Sequence, residues 1–209
     1  MKNTPSTTAP FPALSAEALL EWEGHVESVL RGVAHALNNR AASLSAVMAL
    51  CTEPDYTPVA TRDLLATELE RLRDIVNAVR AVGVPKGEVE AFEPVEAATS
   101  ALGVATMHAT LRDLAVSIHS TAPPVRTHRW MLVRALVALM ARAAATDPRA
   151  AIVLELVERD GWVHFVTRPP PTGSSPCLDE LVVGLGGESL GASGFRLPTL
   201  ATLRRREGR

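Results

Sequence analysis

The sequence predicts an α+β protein: an antiparallel helical hairpin followed by a small sheet backed by helices. Three observations carry this. Apolar residues recur every three or four positions through residues 15–51 and again through 61–82, the period of a helix with a buried stripe. Between these segments, Thr52-Glu53-Pro54-Asp55-Tyr56-Thr57-Pro58 holds two prolines and breaks the helix. Further on, Asp160-Gly161 sits between two strand-like runs, a strong signal for a tight β-hairpin.

The composition suits such a fold. Of 209 residues, 47% are apolar and 21% charged, enough to bury a core and stay in solution. A net charge of −2 gives no electrostatic reason to expect nucleic acid or an anionic membrane as partner. No run approaches the ~20 apolar residues of a membrane span. The two cysteines, Cys51 and Cys177, have no metal-binding spacing and read as reduced thiols of a cytoplasmic protein. Residues 1–14 are polar and rich in proline, unlike a signal peptide, and are expected to be disordered.

In the first helix, Ser15 is the expected N-cap, with Glu17 suiting the helix dipole. Its stripe is Leu19, Trp22, Val26, Val29, Leu30, Val33, Leu37, Leu44, Val47 and Met48. The second helix repeats Leu65, Leu69, Leu72, Val76 and Val79 in heptad fashion and stops at Gly83 and Pro85. A lone hairpin cannot bury both stripes, so residues 15–84 are expected to pair with a second copy as a four-helix bundle. Residues 86–209 form the α+β half. Strands are expected at 88–92, 113–120, 151–158 and 162–167. Helices are expected at 94–107, 129–145, 178–185 and 195–206, and loops at 121–125 and 169–176.

One stretch carries chemistry. His35-Ala36-Leu37-Asn38-Asn39 lies in the first helix, and His35 is about 200° from both Val33 and Leu37 at ~100° per residue. His35 therefore points away from the stripe, toward water. Asn39 is one turn on, on the same face; Arg31 is one turn before, and Arg40 follows. An exposed imidazole is a nucleophile near neutral pH. By periodicity alone the plainer reading, a surface histidine on a dimerising helix, is the stronger. The other histidines fit no metal-ligand spacing, and His25 reads as exposed.

This order of elements resembles a bacterial sensor histidine kinase core. His35-Ala36-Leu37-Asn38-Asn39 resembles its phosphoacceptor box. Phe92-Glu93-Pro94-Val95, Pro123-Pro124-Val125-Arg126 and Leu132-Val133-Arg134-Ala135-Leu136-Val137 resemble the opening of its ATP-binding domain. The resemblance implies a small α/β sandwich after the hairpin, with His35 as phosphoacceptor, Asn38 and Asn39 beside it, and Arg31 and Arg40 balancing phosphoryl charge.

The same resemblance implies that the nucleotide site is degenerate. Ala138 and Arg142 stand where asparagines are expected to hold magnesium and ATP phosphates, and an arginine cannot ligate a cation. Thr167-Arg168-Pro169-Pro170-Pro171 replaces an Asp-x-Gly-x-Gly run, removing the adenine-reading carboxylate and backbone donors. Gly191-Ala192-Ser193-Gly194-Phe195-Arg196-Leu197 is a worn phosphate loop in which Arg196 replaces a glycine, and the chain is read as stopping before the family's closing strands. Ala36 takes the place of an acidic residue that serves autokinases as base. The expectation is a cytoplasmic homodimer that binds no cofactor and exchanges phosphate between His35 and a response-regulator receiver carrying Mg²⁺. A non-catalytic scaffold for the same partners and an atypical ATP-dependent kinase are the other readings.

Overall fold

The computed structural model describes residues 14–51, 58–83 and 88–207. The expected disorder of the N-terminus, the two-proline turn and Pro85 lie outside the described residues, although Leu14 already packs against the core. Helix α1 (Ala16–Leu50) is one continuous rod, capped by Ser15, whose side chain accepts from the Ala18 N–H at 3.2 Å. Helix α2 (Pro58–Val82) runs back along it.

The two helices divide their apolar residues in an instructive way. Helix α2, which packs on α1, α3 and α4, buries Thr61, Glu68, Ile75 and Val82, spaced by sevens, with Ala78 between. Of the stripe expected from sequence, Leu72 packs against the core, while Leu65, Leu69, Val76 and Val79 are each 37–50% exposed. Helix α1 buries Trp22, Val29, Val33 and Val47 but exposes Leu19, Leu30, Leu37 and Met48. Each helix therefore has a second apolar face that this chain alone leaves in water.

The second half is α+β. Strand β1 (Val89–Phe92) leads to α3 (Pro94–Ala105), β2 (Val116–Ser120), β3 (Val125–His128), α4 (Arg129–Thr146), β4 (Ile152–Arg159) and β5 (Trp162–Arg168). Then come α5 (Pro176–Gly184), β6 (Glu188–Ser189), β7 (Gly194–Pro198) and α6 (Leu200–Glu207). A five-stranded sheet has the order β2-β4-β5-β7-β6, parallel only between β2 and β4, while β1 and β3 form a separate antiparallel pair. At the β4–β5 turn, Asp160 and Gly161 take φ of 55° and 80°, as an Asp-Gly hairpin turn requires.

Two expectations fail here. The segment 195–206 is not one helix: Gly194–Pro198 is strand β7, because Phe195 and Leu197 alternate into the core and Phe195 stacks on Phe165 at 4.7 Å. Only Leu200–Glu207 is helical. The loop expected at 121–125 ends in β3, whose Val125 is buried against Phe92 across the β1–β3 pair. Helix α4 is buried almost all round, from Met131 to Ala144, and sits between the sheet, α3 and α5. One hydrophobic cluster runs from Ala18 and Trp22 of the hairpin through α4 to the sheet.

Candidate functional site

His35 projects into solvent from the middle of α1. Asn39 Nδ2 lies 3.2 Å from His35 Nε2. An amide nitrogen donates and has no lone pair to offer, so this placement puts the lone pair on Nε2 and the ring proton on Nδ1. The helical spacing of four explains why the two side chains meet. Asn38 is exposed on the next helical position.

The two arginines differ. Arg31 pairs with Glu27 at 2.8 Å, both more than 70% exposed, and such a pair is weak and easily exchanged. Arg40 is committed elsewhere: its Nη1 donates to both carboxylate oxygens of Glu68 at 3.0 and 2.9 Å, and Arg71 donates to Glu68 Oε1 at 2.8 Å. Glu68 is buried, so the two cations hold it in place and tie α1 to α2. Of the two cations expected near a phosphoryl group, the structure leaves Arg31 the freer.

A cleft of about 870 Å³ opens between the hairpin and α3, lined by Ala36, Arg40, Arg71, Asp74, Asn77 and Ser100, among others; His35 is not in its lining. Contacts with the second half also hold α1 in place. Gly32 packs so tightly on the chain after α3 that a Cβ there would stand 1.8 Å from the Met107 carbonyl oxygen. Glu21 reaches α5, accepting from Ser175 Oγ at 2.6 Å and from the Cys177 N–H at 3.0 Å, a carboxylate set at a helix N-terminus. Burial pushes the Cys177 thiol up to about 12, so it is an inert neighbour there. His25, expected in water, is instead half-buried against His108 at 3.3 Å, because the seam between the two halves covers that face of α1.

The positions that the resemblance compares with a nucleotide site, Ala138, Arg142, Pro169 and Arg196, are placed as follows. Ala138 is fully buried in the core. Arg142 donates to the Gly173 carbonyl, and Thr146 Oγ1 takes the Thr172 N–H at 2.9 Å, so the loop bearing Pro169 is fastened to α4. Arg196 lies in a strand rather than in a loop. It stands on β7 on the face opposite Phe195 and Leu197, pairs with Glu188 at 2.6 Å and lies 4.5 Å from the Trp162 ring centre.

No family model matches the chain, and no curated protein matches it. Solved structures similar to it include the histidine kinase AdeS of Acinetobacter baumannii, at 15% identity over 79% of this chain and 95% of that one, with a TM-score of 0.42. A bacterial phosphotransferase solved at 1.7 Å is 14% identical over 88% and 96% of the two chains, with a TM-score of 0.41. A histidine kinase from Burkholderia phymatum is 13% identical over 88% and 94%, with a TM-score of 0.42. Among the described residues, no helix is long and apolar enough to cross a membrane.

Proposed function

We propose that this chain is a histidine phosphotransfer protein of a two-component phosphorelay. His35 takes a phosphoryl group from the aspartate of a receiver domain and passes it to another receiver, without ATP. The observation that carries this reading is the exposed His35 with Asn39 Nδ2 standing 3.2 Å from its Nε2.

The chemistry balances with few parts. The Nε2 lone pair attacks phosphorus as the bond to the receiver's aspartyl oxygen breaks, and that oxygen leaves as carboxylate. The phosphorylated ring keeps its Nδ1 proton, which can pass to water. Asn39 first orients the ring and then, its acceptor lost, donates to a phosphoryl oxygen. The receiver supplies Mg²⁺ to neutralise the oxygens in flight. Arg31 adds charge from one turn before. The exposed apolar faces of α1 and α2 suit a second copy, which would complete a four-helix bundle and present two His35 side chains.

A non-catalytic dimeric scaffold that binds the same receivers is the second reading. It is favoured by Arg40, whose charge is spent on Glu68 rather than offered beside His35. Mixing the protein with phosphorylated receivers decides between them. Acid-labile, base-stable label appears on the chain and disappears in His35→Ala under the phosphotransfer reading. Receiver binding with no label supports the scaffold, and label that survives His35→Ala refutes the assignment to His35.

A further inference from the structure

The contact between His25 and His108 has no part in that chemistry, yet it joins the hairpin to the α+β half. His25 Nδ1 lies 3.3 Å from His108 Nε2, with the ring centres 5.5 Å apart. The proton arrangement follows from the backbone. The Thr110 N–H points at His108 Nδ1 at 3.3 Å, and a backbone N–H can only donate. Nδ1 of His108 therefore holds a lone pair, and the neutral ring carries its proton on Nε2. That N–H donates to His25 Nδ1, which places the His25 proton on its own Nε2. Ser28 Oγ accepts the Ala109 N–H at 3.1 Å and lies 3.4 Å from His108 Nδ1, so its hydrogen can share that lone pair. The relay from Thr110 through His108 to His25 works in one direction and only with both rings neutral.

A single added proton breaks it. On His108 Nδ1 it faces the Thr110 N–H, and its one possible acceptor is Ser28 Oγ at 3.4 Å, which already accepts from the Ala109 N–H; on His25 Nδ1 it faces the His108 Nε2–H. Each case sets donor against donor beside a new charge. Few neighbours compensate. On α1, Glu21 lies one turn before His25 and favours its charged form, but by less than burial disfavours it, and Ser175 and Cys177 engage both its oxygens. From α4, Arg134 stacks at 4.6 Å on Trp22, whose ring lies 6.0 Å from that of His25. From α5 the nearby group is the neutral Cys177 thiol. On the segment after α3, Arg112 and Asp113 pair with each other at 3.3 Å. Burial lowers the proton affinity of both imidazoles, that of His108 to about 4.

We propose that the His25–His108 pair is an acid-released latch that sets the hairpin against the α+β half. Residues 25–32 of α1 run along residues 107–110, ending where Gly32 meets Met107. Release of the latch frees this seam up to the turn before His35. An imidazole exposed by opening takes its proton near pH 6.5. Each pH unit below that, down to the lowered value, then raises the open population by up to about tenfold per histidine. The inference stands whether or not His35 carries phosphate.

Amide hydrogen exchange on the full chain at pH 7.5, 6.5 and 5.5, corrected for intrinsic rates, tests it. Protection of the Ala109 and Thr110 amides should fall at least about tenfold across this range while β4 and β5 amides hold. In the double variant His25→Gln/His108→Gln, protection of the same amides should not vary with pH, whatever its level. Wild-type protection that ignores pH, or a fall that persists in the double variant, overturns the proposal. Should the variant not fold, imidazole ¹⁵N spectra of the wild type decide: two neutral rings at pH 6, with His108 protonated on Nε2, are expected. A charged ring in the closed state overturns the latch.

Discussion

The Arg134 guanidinium of α4 lies 4.6 Å from the ring centre of Trp22 on α1 and 5.0 Å from that of Trp130. It also donates to the Val82 carbonyl at 3.0 Å and to that of Gly83, where α2 ends. One buried cation thus grips both helices of the hairpin, and burial lowers its own affinity for a proton to about 10. Arg134→Met keeps most of the volume but loses the charge-assisted hydrogen bonds and the ring contacts. It should cost about 2–4 kcal/mol in urea unfolding. Loss of protection should concentrate at the seam between the halves and leave the β4–β5 hairpin intact.

Gly32→Ala tests the same seam through sterics alone. In an exposed helix interior this change stabilises by about 1 kcal/mol. Here the new methyl would stand 1.8 Å from a backbone oxygen that cannot swing aside. The sign should therefore reverse, with a loss of about 1–3 kcal/mol from overpacking. Gly24, whose added Cβ would meet nothing within 4 Å, is the matched control. Gly24→Ala should stabilise, and thermal unfolding of the two variants compares them directly.

Stability should fall with acid in a defined window. The affinity of His25 and His108 for protons is lowered in the folded chain, so the unfolded chain binds more protons below pH 6.5. Their contribution is complete above pH 6.5 and is lost as pH falls toward about 4, where His108 titrates in the folded state. The slope is at most about 1.4 kcal/mol per pH unit for each histidine. Urea midpoints between pH 7.5 and 4.5 should show this slope, and His25→Gln/His108→Gln should flatten it.

How much of this was legible in the sequence depended on how local the determining physics is. The long helices, the Ser15 cap and the Asp160-Gly161 turn rest on nearest neighbours and read directly. Strand β7 did not, because Phe195 and Leu197 are buried by pairing with β5, a contact the local pattern of 195–206 does not announce. The exposed stripe of α2 was visible and the buried one was not, since Thr61 and Glu68 are polar members of it. A signal was nonetheless present: a carboxylate recurring in register with Ile75 and Val82 needs cationic partners, and Arg40 and Arg71 supply them. Arg134 was likewise findable, as the lone charge among Met131, Ala135 and Ala138 on one helix face. His25 and His108 are far apart in sequence, and no spacing rule brings them together.

Magnesium–ATP should not bind in the micromolar range by calorimetric titration. Arg142 donates to Gly173, and Thr146 holds Thr172, so the loop is fastened across the face of α4 where the resemblance implies nucleotide. Arg142→Asn with Ala138→Asn should not restore binding, because the loop's prolines still lack backbone donors and no carboxylate is present to read adenine. Micromolar binding by either protein would refute this reading.

Three substitutions around His35 should separate roles that proximity alone confuses. His35→Ala removes the nucleophile and should abolish labelling from phosphorylated receivers. Asn39→Ala removes the donor 3.2 Å from Nε2 while leaving the nucleophile, so labelling should persist at a rate lower by roughly ten- to a hundredfold. Arg40→Ala should act on the fold instead. It takes one of two cations from the buried Glu68, costs about 1–3 kcal/mol of stability, and leaves the transfer rate within about twofold once the folded fraction is matched. Rapid-quench labelling with a single receiver, beside urea unfolding of each variant, gives both numbers. A large rate loss in Arg40→Ala at full folding would mean that Arg40 leaves Glu68 to meet the phosphoryl group, and that its charge belongs to the chemistry after all.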